Sequence, residues 1–187
     1  MAQNTHSMAR TLDLAYIAAG TALLAVCSWI CIPMTVQFTM QTFAVFFLLM
    51  LLGGKRGTAS ILVYILLGAA GVPVFSKFTG GLGVLFDKTG GYILGFMFTG
   101  LIYWAAERLS GGRLWVKIAA LTAGLAVCYA FGTAWFMVVY TKAHGTTALN
   151  VVLGWCVYPF ILPDLGKLVL AVLLARRVSP YLKTGKE

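Results

Sequence analysis

Long apolar runs separated by short polar or glycine-rich breaks make up most of this chain. Such runs predict membrane-spanning helices, because a helix needs about 20 apolar residues to cross the hydrocarbon core of a bilayer. The pattern predicts an all-α integral membrane protein: a six-helix transmembrane bundle that forms a single membrane domain over residues 1–187. The predicted spans lie near 12–31, 41–54, 58–71, 90–106, 116–140 and 151–175.

Composition supports a membrane class and excludes an ordinary soluble domain. The chain is 60% hydrophobic and 10% charged, whereas soluble domains carry about 25% charged residues. The first apolar stretch continues to Pro33, which is too long for a typical signal-peptide core. We therefore expect no cleavable signal peptide, and the first span should remain as an anchor.

The second and third spans are short and are separated by a single turn, GGKRG at residues 53–57. A turn this short predicts a helical hairpin. Each limb is shorter than the roughly 17 residues of the shortest usual spans, so longer helices should shelter the hairpin from lipid.

The basic residues are unevenly distributed between the breaks. Under the positive-inside rule this distribution places both termini in the cytoplasm. The net charge of +9 then reflects topology and attraction to anionic lipid head groups, and it requires no nucleic-acid partner. Ten of the fourteen basic residues fall on the predicted cytoplasmic side: Arg10, Lys55, Arg56, Arg108, Arg113, Lys117, Arg176, Arg177, Lys183 and Lys186.

Two opposite charges, Asp164 and Lys167, interrupt the last apolar run. Their i to i+3 spacing places both side chains on one helical face. Ionisable residues inside a membrane are rare and commonly mark a substrate or ion pathway. The alternative is a neutralised structural pair that only joins two helices.

The other residues with potential metal or redox chemistry lie far apart or in apolar segments. Free cysteine is often a small buried hydrophobic residue, and the histidines lack metal-ligand spacing. We therefore predict no metal site, no disulfide and no cofactor. These residues are Cys27, Cys31, Cys128, Cys156, His6 and His144.

The break at residues 71–92 is unusually apolar and rich in glycine for an outward-facing loop. Irregular backbone near membrane depth is tolerated only where it is buried in protein or lines a cavity. The break therefore predicts a lid that folds over the helices, although two ordinary turns would give a similar pattern. The residues that carry this prediction are the glycine pairs Gly80, Gly81, Gly90 and Gly91, with Phe75, Phe78 and Phe86.

The earlier outward break, residues 32–43, alternates polar and apolar side chains. In an extended segment this alternation places the polar side chains along one face. They could hydrogen-bond a small polar ligand or simply face water. The polar set is Thr35, Gln37, Thr39 and Gln41.

Three blocks of the chain resemble the BioY family, the membrane-embedded substrate-binding (S) components of energy-coupling-factor biotin transporters. The first block is the proline–threonine–glutamine stretch at residues 33–42. The second combines GVPVF at residues 71–75 with Gly80–Gly81 and TGGY at residues 89–92. The third contains Pro159–Phe160 and Pro163–Asp164, followed by Lys167. The resemblance covers nearly the whole chain.

The resemblance implies capture of biotin outside the cell membrane and its delivery inward. The implied partners are a coupling transmembrane protein and two cytoplasmic ATPase subunits. By position, Asp164 and Lys167 match the family's ligand-binding acidic and basic residues. The family usually has a glycine–proline dipeptide where this chain has Asp87–Lys88, which removes a rigid turn and adds two charges.

Biotin would suit the residues identified above. An ionised Asp164 could accept hydrogen bonds from the two ureido N–H groups, and Lys167 could donate one to the ureido carbonyl. Lys88 is the first choice of partner for the biotin carboxylate, with Lys77 and Thr89 nearby, and Gln41 is a further polar candidate. The predicted aromatic walls are Phe75, Tyr92, Trp135, Trp155 and Tyr158.

The first span carries a stripe of small residues that would let another helix approach closely. It resembles the alanine motif by which S components dock on the coupling protein, although internal helix packing would produce the same pattern. The stripe consists of Ala15, Ala18, Ala19 and Ala22.

The chain contains no glycine-rich phosphate loop that ends in Gly-Lys-Ser/Thr, so ATP hydrolysis is assigned to partner subunits. Two alternatives remain open at this point. One is a solitary secondary transporter in which Asp164 and Lys167 exchange protons. The other is a membrane enzyme that uses Asp164 as an acid or base, but the clustered catalytic groups that such chemistry needs are not evident in the sequence.

Overall fold

The structure is a computed structural model that describes residues 2–34 and 36–182, without the side chains of residues 2–9, 143 and 144. Thr35 of the predicted polar face lies outside the described residues, as do Lys183 and Lys186. The side chains of His6 and His144 are likewise not described.

The described chain is mostly α-helical. Four stretches of it are long and apolar enough to cross a membrane: Arg10–Trp29, Gln41–Ala69, Leu114–Lys142 and Leu149–Tyr181. The helices are α1 (Ala2–Trp29), α2 (Gln41–Ala69), α3 (Leu82–Phe86), α4 (Gly90–Ser110), α5 (Leu114–His144), α6 (Leu149–Cys156) and α7 (Tyr158–Val178).

Helix α2 reverses direction at Gly53, where φ is 82° and ψ is 168°. A positive φ is favourable only for glycine among common residues. The reversal brings Gln41 Nε2 within 2.5 Å of the Tyr64 hydroxyl, a contact that a continuous helix would separate by about 35 Å. The GGKRG segment is therefore the turn of a helical hairpin, as predicted, with a first limb (residues 41–52) and a second limb (residues 54–69).

Small residues allow the helices to approach closely. A Cβ added to Gly20 of α1 would lie 2.6 Å from Ser60 Oγ on α2. A Cβ added to Gly124 of α5 would lie 2.8 Å from Thr99 Cγ2 on α4. Close backbone approach through small residues is the usual way helices associate in lipid, where burial of apolar surface supplies little driving force.

A short antiparallel ribbon connects α1 to α2. Strand β1 (Cys31–Ile32) pairs with β2 (Phe38–Thr39), with Cys31 opposite Thr39. The extended conformation predicted for this break is present at β2, whereas Gln41 already begins α2.

The connection between α2 and α4, which we call the lid segment (residues 71–89), is folded against α1 and α2. It contains a 3-10 helix (Ser76–Phe78) and α3. Ser28 Oγ on α1 donates to the carbonyl of Val74 at 2.5 Å, and the backbone N–H of Gly81 donates to the carbonyl of Gly68 at 2.7 Å. The segment is therefore fixed to the bundle at several points.

The predicted sixth span contains two helices, α6 and α7, separated at Val157 (φ −125°, ψ −58°). Pro159 follows at once, in the first turn of α7, where its missing N–H would have no intrahelical partner in any case; Pro163 lies further inside the same helix. The break therefore starts a new helix, and Asp164 and Lys167 lie within α7.

Candidate ligand-binding site

A cavity lies where β2, the start of α2, the lid segment and helices α4 to α7 meet. Its volume is about 70 Å³, well below the roughly 300–1,000 Å³ of typical ligand pockets, so the site would have to enlarge to hold a ligand of that class. Its lining combines hydroxyls, amides and one ion pair with apolar side chains: Val36, Gln37, Thr39, Gln41, Thr42, Ser76, Thr89, Tyr92, Ile93, Phe96, Cys128, Tyr129, Cys156, Phe160, Asp164 and Lys167.

Asp164 and Lys167 form a direct ion pair in this cavity. Lys167 Nζ lies 2.7 Å from Asp164 Oδ1, and the two residues are only 7% and 3% exposed, respectively. A buried pair of this kind is tolerated only if further hydrogen bonds satisfy both groups. Removal of either charge would leave the other uncompensated.

Lys167 uses its ammonium group fully. Besides Asp164, Nζ donates to the backbone carbonyl of Thr39 at 2.7 Å and to Thr42 Oγ1 at 3.2 Å. It also lies 3.9 Å from the ring centroid of Phe38, within the range of a cation–π interaction. The ribbon strand β2 and the first turn of α2 therefore position the cation.

Asp164 accepts hydrogen bonds at both carboxylate oxygens. Thr42 Oγ1 donates to Oδ1 at 2.9 Å, and the Tyr129 hydroxyl donates to Oδ2 at 2.6 Å. Hydrogen bonds to a charged acceptor are short and strong. The result is a neutral, hydrogen-bonded cluster that could exchange some of these bonds for bonds to a polar ligand.

Five other predicted residues line the same cavity: Gln37, Thr39, Gln41, Thr89 and Tyr92. Gln41 is buried, and its amide is already engaged by Tyr64 and by Thr39 Oγ1. Thr89 lies directly before α4, as its N-cap residue. The Tyr92 hydroxyl lies 3.1 Å from Thr133 Oγ1. Their ligand-binding roles remain predictions.

Phe75 and Tyr158, predicted as aromatic walls, do not line this cavity. Phe75 is fully buried within the lid segment, where its ring packs against Gly68 and the ring of Tyr64. Tyr158 is 61% exposed, in the first turn of α7. Neither residue is among those that line the cavity.

The remaining aromatic and basic candidates also lie outside the lining. Trp135 Nε1 donates to the carbonyl of Asp87 at 3.0 Å, so it supports the lid segment from α5. Trp155 packs against Tyr140. Lys88 is half-buried beside Thr89, and Lys77 is exposed beside Ser76.

The four predicted lid glycines occupy crowded or special backbone positions. Gly81 has φ of 97°. A Cβ on Gly80 would collide with the carbonyl of Val72, and one on Gly90 with the carbonyl of Leu85. A Cβ on Gly91 would collide with Trp135. Gly80 and Gly81 belong to the lid segment, whereas Gly90 and Gly91 begin α4, and each position explains why glycine is required there.

Tyr129 and Thr42 are the site residues that sequence reasoning missed. Tyr129 lies within the apolar run of α5, and only its need for a hydrogen-bond partner could have signalled a role. Thr42 follows the alternating polar series but belongs to the first turn of α2. Cys128 and Cys156 also line the cavity, although the sequence indicated only buried apolar positions.

Comparison with known proteins identifies the family. The model of the BioY family matches residues 1–184. The biotin transporter BioY of Thermotoga maritima is 40% identical over 166 residues, which cover 87% of this chain and 94% of that protein. The probable biotin transporter BioY of Pyrococcus horikoshii is 36% identical over 171 residues, covering 89% and 96%, respectively.

A solved structure has the same fold. The crystal structure of the S-component for biotin from an ECF-type ABC transporter superposes with a TM-score of 0.78 at 22% identity, covering 91% of this chain and 92% of that chain. The apolar helices and the transporter relatives identify a multi-pass membrane protein. The family match over almost the entire chain shows that this protein belongs to the BioY family.

Proposed function

We propose that this protein captures biotin and carries it across the cytoplasmic membrane as the S component of an energy-coupling-factor transporter. The observation that carries the proposal is the buried pair Asp164 and Lys167, which lines a cavity that residues of the lid segment also line. The relatives named above are biotin transporters. The protein binds and transports, and ATP hydrolysis belongs to its partners.

The polar cluster suits the ureido ring of biotin. A carboxylate can accept two N–H groups, and an ammonium can donate to a carbonyl. When biotin binds, it would replace the direct contact of Asp164 with Lys167, so that each charge faces one side of the ligand ring. Ile93, Phe96 and Phe160 offer apolar contacts for the bicycle. Biotin is here a transported ligand, and no cofactor is required.

Binding of biotin to the purified chain tests this proposal most directly. We expect tight binding of biotin and weaker binding of lipoate, which lacks the ureido ring. Desthiobiotin, which retains the ureido group, should fall between them. Isothermal titration calorimetry of all three ligands measures the order, and absence of tight biotin binding would contradict the proposal.

The biotin carboxylate should lie near the mouth of the cavity, where Thr89 and Ser76 contribute hydroxyls. Lys88 follows Asp87 and precedes Thr89, so a modest movement of its side chain would bring a cation to this mouth. We expect Lys88→Ala to weaken biotin affinity, whereas the exposed Lys142→Ala should not. If the Lys88 variant and the unmodified protein bound biotin with equal affinity, only the assignment of Lys88 to the biotin carboxylate would be wrong.

We also propose six membrane crossings with both termini in the cytoplasm. The crossings would be α1, the two limbs of α2, α4, α5, and α6 with α7. The limbs are only about 18 and 24 Å long, and buried side chains on both support the prediction that other helices shelter them. In a variant without native cysteines, an impermeant maleimide should label Asp87→Cys but not Lys55→Cys in whole cells.

The alanine stripe on α1 is proposed as the docking surface for the coupling transmembrane protein, which in turn binds two ATPase subunits. All four alanines are exposed in the isolated chain. The buried face of α1 is formed instead by residues such as Thr21, Leu24 and Ser28. Internal packing therefore does not account for the stripe.

A double variant tests this surface. Ala15→Leu with Ala19→Leu should block biotin uptake in cells that contain the partner subunits, while binding to the purified variant is preserved. The matched control is Ala105→Leu with Ala119→Leu, which enlarges two exposed alanines on α4 and α5. Loss of binding together with uptake would favour a structural role for the stripe.

One alternative is favoured by a specific observation. A buried carboxylate that is paired with a lysine could exchange protons, so the chain could act as a solitary secondary transporter of biotin or another small acid. Reconstitution of the chain alone into vesicles with a proton gradient distinguishes the two. Accumulation of biotin without ATPase partners would favour this alternative.

A further inference from the structure

Tyr64 is fully buried in the second limb of α2 but does not line the cavity. Its hydroxyl accepts a hydrogen bond of 2.5 Å from Gln41 Nε2. Its ring meets that of Phe75 edge to face, with the centroids 5.4 Å apart and the planes at 78°. Tyr64 therefore contacts a cavity residue through its hydroxyl and a lid residue through its ring.

On the cavity side, the contact continues to the ion pair. Gln41 Oε1 accepts a hydrogen bond from Thr39 Oγ1 at 3.1 Å. The backbone carbonyl of Thr39 accepts a hydrogen bond from Lys167 Nζ at 2.7 Å. Because Gln41 is only 6% exposed, loss of the Tyr64 hydroxyl would leave its amide N–H without that partner in a buried place.

On the lid side, Phe75 is the buried anchor of the lid segment. Its backbone N–H donates to the carbonyl of Thr79 at 3.0 Å, which closes the loop around the 3-10 helix. The preceding residue, Val74, is attached to α1 through Ser28, and the next residue, Ser76, lines the cavity. Because Ser76 follows Phe75 directly, a movement of Ser76 away from the cavity would also disturb the contact between the rings of Phe75 and Tyr64.

We propose that Tyr64 is a positioning residue that couples closure of the lid segment to the polar wall of the cavity and so sets how fast bound ligand leaves. At about 70 Å³ the cavity is too small to hold biotin unless its walls, the lid segment among them, move. Opening would shift Phe75 from the Tyr64 ring and disturb the bond to Gln41. The proposal rests on the proposed function only in taking biotin as the ligand.

The test compares two conservative variants at equally buried tyrosines. Tyr64→Phe keeps the ring and removes the hydroxyl that Gln41 uses. Tyr103→Phe is the matched control, because Tyr103 is also fully buried but its hydroxyl donates to Met50 Sδ, at 3.7 Å, which is not a cavity residue. Biotin dissociation rates are measured by competition in detergent, and amide hydrogen exchange is measured over residues 71–89.

We expect Tyr64→Phe to raise the dissociation rate about tenfold, the equivalent of one buried hydrogen bond, and to increase exchange of the lid segment in the absence of ligand. Tyr103→Phe should change both by less than about twofold. An unchanged dissociation rate and unchanged lid exchange in the Tyr64 variant would overturn the proposal. Equal changes in the control would also overturn it, since they indicate general loosening.

A double-mutant cycle with Phe75→Leu tests the route of coupling. If Phe75 transmits the effect, loss of the Tyr64 hydroxyl matters less once the ring contact is lost. The increase in amide hydrogen exchange of the lid segment in the double variant should then be smaller than the sum of the increases in the two single variants. Strictly additive effects would overturn the proposal. If the unmodified protein did not bind biotin, the proposed function would fail, whereas the ligand-free lid exchange would still decide the role of Tyr64.

Discussion

The two ends of the helical bundle both contain ion pairs, but the pairs differ in their surroundings. At the cavity end, Asp164 and Lys167 are almost completely buried and bonded to hydroxyls and a backbone carbonyl. At the end where α2 reverses, Arg56 pairs with Asp13 at 2.5 Å and Lys117 with Glu107 at 2.9 Å, with side chains that are 21–40% exposed.

The difference shows that ion pairs have different roles in buried and in partly exposed surroundings. Desolvation makes the buried pair costly unless every partner is present, so it is sensitive to any group that enters the cavity. Water and salt weaken the pairs at the other end. There they connect neighbouring segments: Arg56 connects the α2 turn to α1, and Glu107 accepts the Gly54 N–H at 2.6 Å as well as Lys117.

The largest expected effect comes from Asp164→Asn. It leaves the Lys167 charge buried without a counter-charge, so we expect a loss of unfolding free energy of about 3–5 kcal/mol and loss of biotin binding. Thermal unfolding in detergent and calorimetry measure the two effects. The exposed Asp87→Asn is the control. The double variant Asp164→Asn with Lys167→Met has no buried charge at this site. If it regained stability but still did not bind biotin, the role of the pair in ligand binding would be distinguished from its role in stability.

Tyr129→Phe should have the next largest effect. It removes one hydrogen bond to the Asp164 carboxylate while the ring remains, which costs about 1.5–3 kcal/mol. We expect both lower stability and weaker biotin affinity. Tyr158→Phe, on an exposed ring outside the cavity, should change neither by more than about 0.5 kcal/mol. Unchanged affinity in the Tyr129 variant would show that the ligand does not depend on the orientation of Asp164.

Glu107→Gln tests the opposite end. The variant loses the pair with Lys117 and weakens the bond to the Gly54 N–H, so we expect about 1 kcal/mol lower stability. Biotin affinity should stay the same, because the residue is remote from the cavity lining. A change in affinity as large as that of the Tyr129 variant would contradict the functional separation of the two ends.

Arg56→Gln should have the smallest effect. The pair with Asp13 is partly exposed, so its loss should cost about 0–1 kcal/mol. The stability difference between the variant and the unmodified protein should shrink as salt approaches 1 M, where screening acts over about 3 Å. Unfolding experiments at low and high salt measure it. A difference that persists at high salt would indicate a contribution other than charge pairing.

Several features could be predicted from local sequence because they depend on local chemistry. The GGKRG turn marks the reversal of α2, since glycine alone adopts the backbone angles found at Gly53 without strain. Asp164 and Lys167 were recognisable because charges are rare in apolar helices, and their spacing places them on one face. The structure adds that the two side chains contact each other directly, at 2.7 Å.

Other features could not be predicted in this way. Phe75 was expected in the cavity wall, yet its ring packs against Tyr64, and Tyr158 is 61% exposed and does not line the cavity. Both positions are aromatic and close in sequence to polar site residues. Neither composition nor spacing therefore distinguishes an aromatic residue that packs elsewhere from one that lines the cavity. The break at Val157 also rotates α7 relative to α6 and so changes which residues can share a face.

The sequence by itself determined the membrane class, the hairpin and the charged pair, because hydrophobic pattern, turn glycines and rare ionisable residues act locally, and its three motif blocks resembled the BioY family. Only the tertiary structure decided that Thr42 and Tyr129 hold Asp164, that Phe75 anchors the lid segment, and that the alanine stripe is exposed. The physical reason is that in a membrane protein the faces toward lipid and toward other helices are both apolar. The direction of a side chain therefore depends on which helices pack against it.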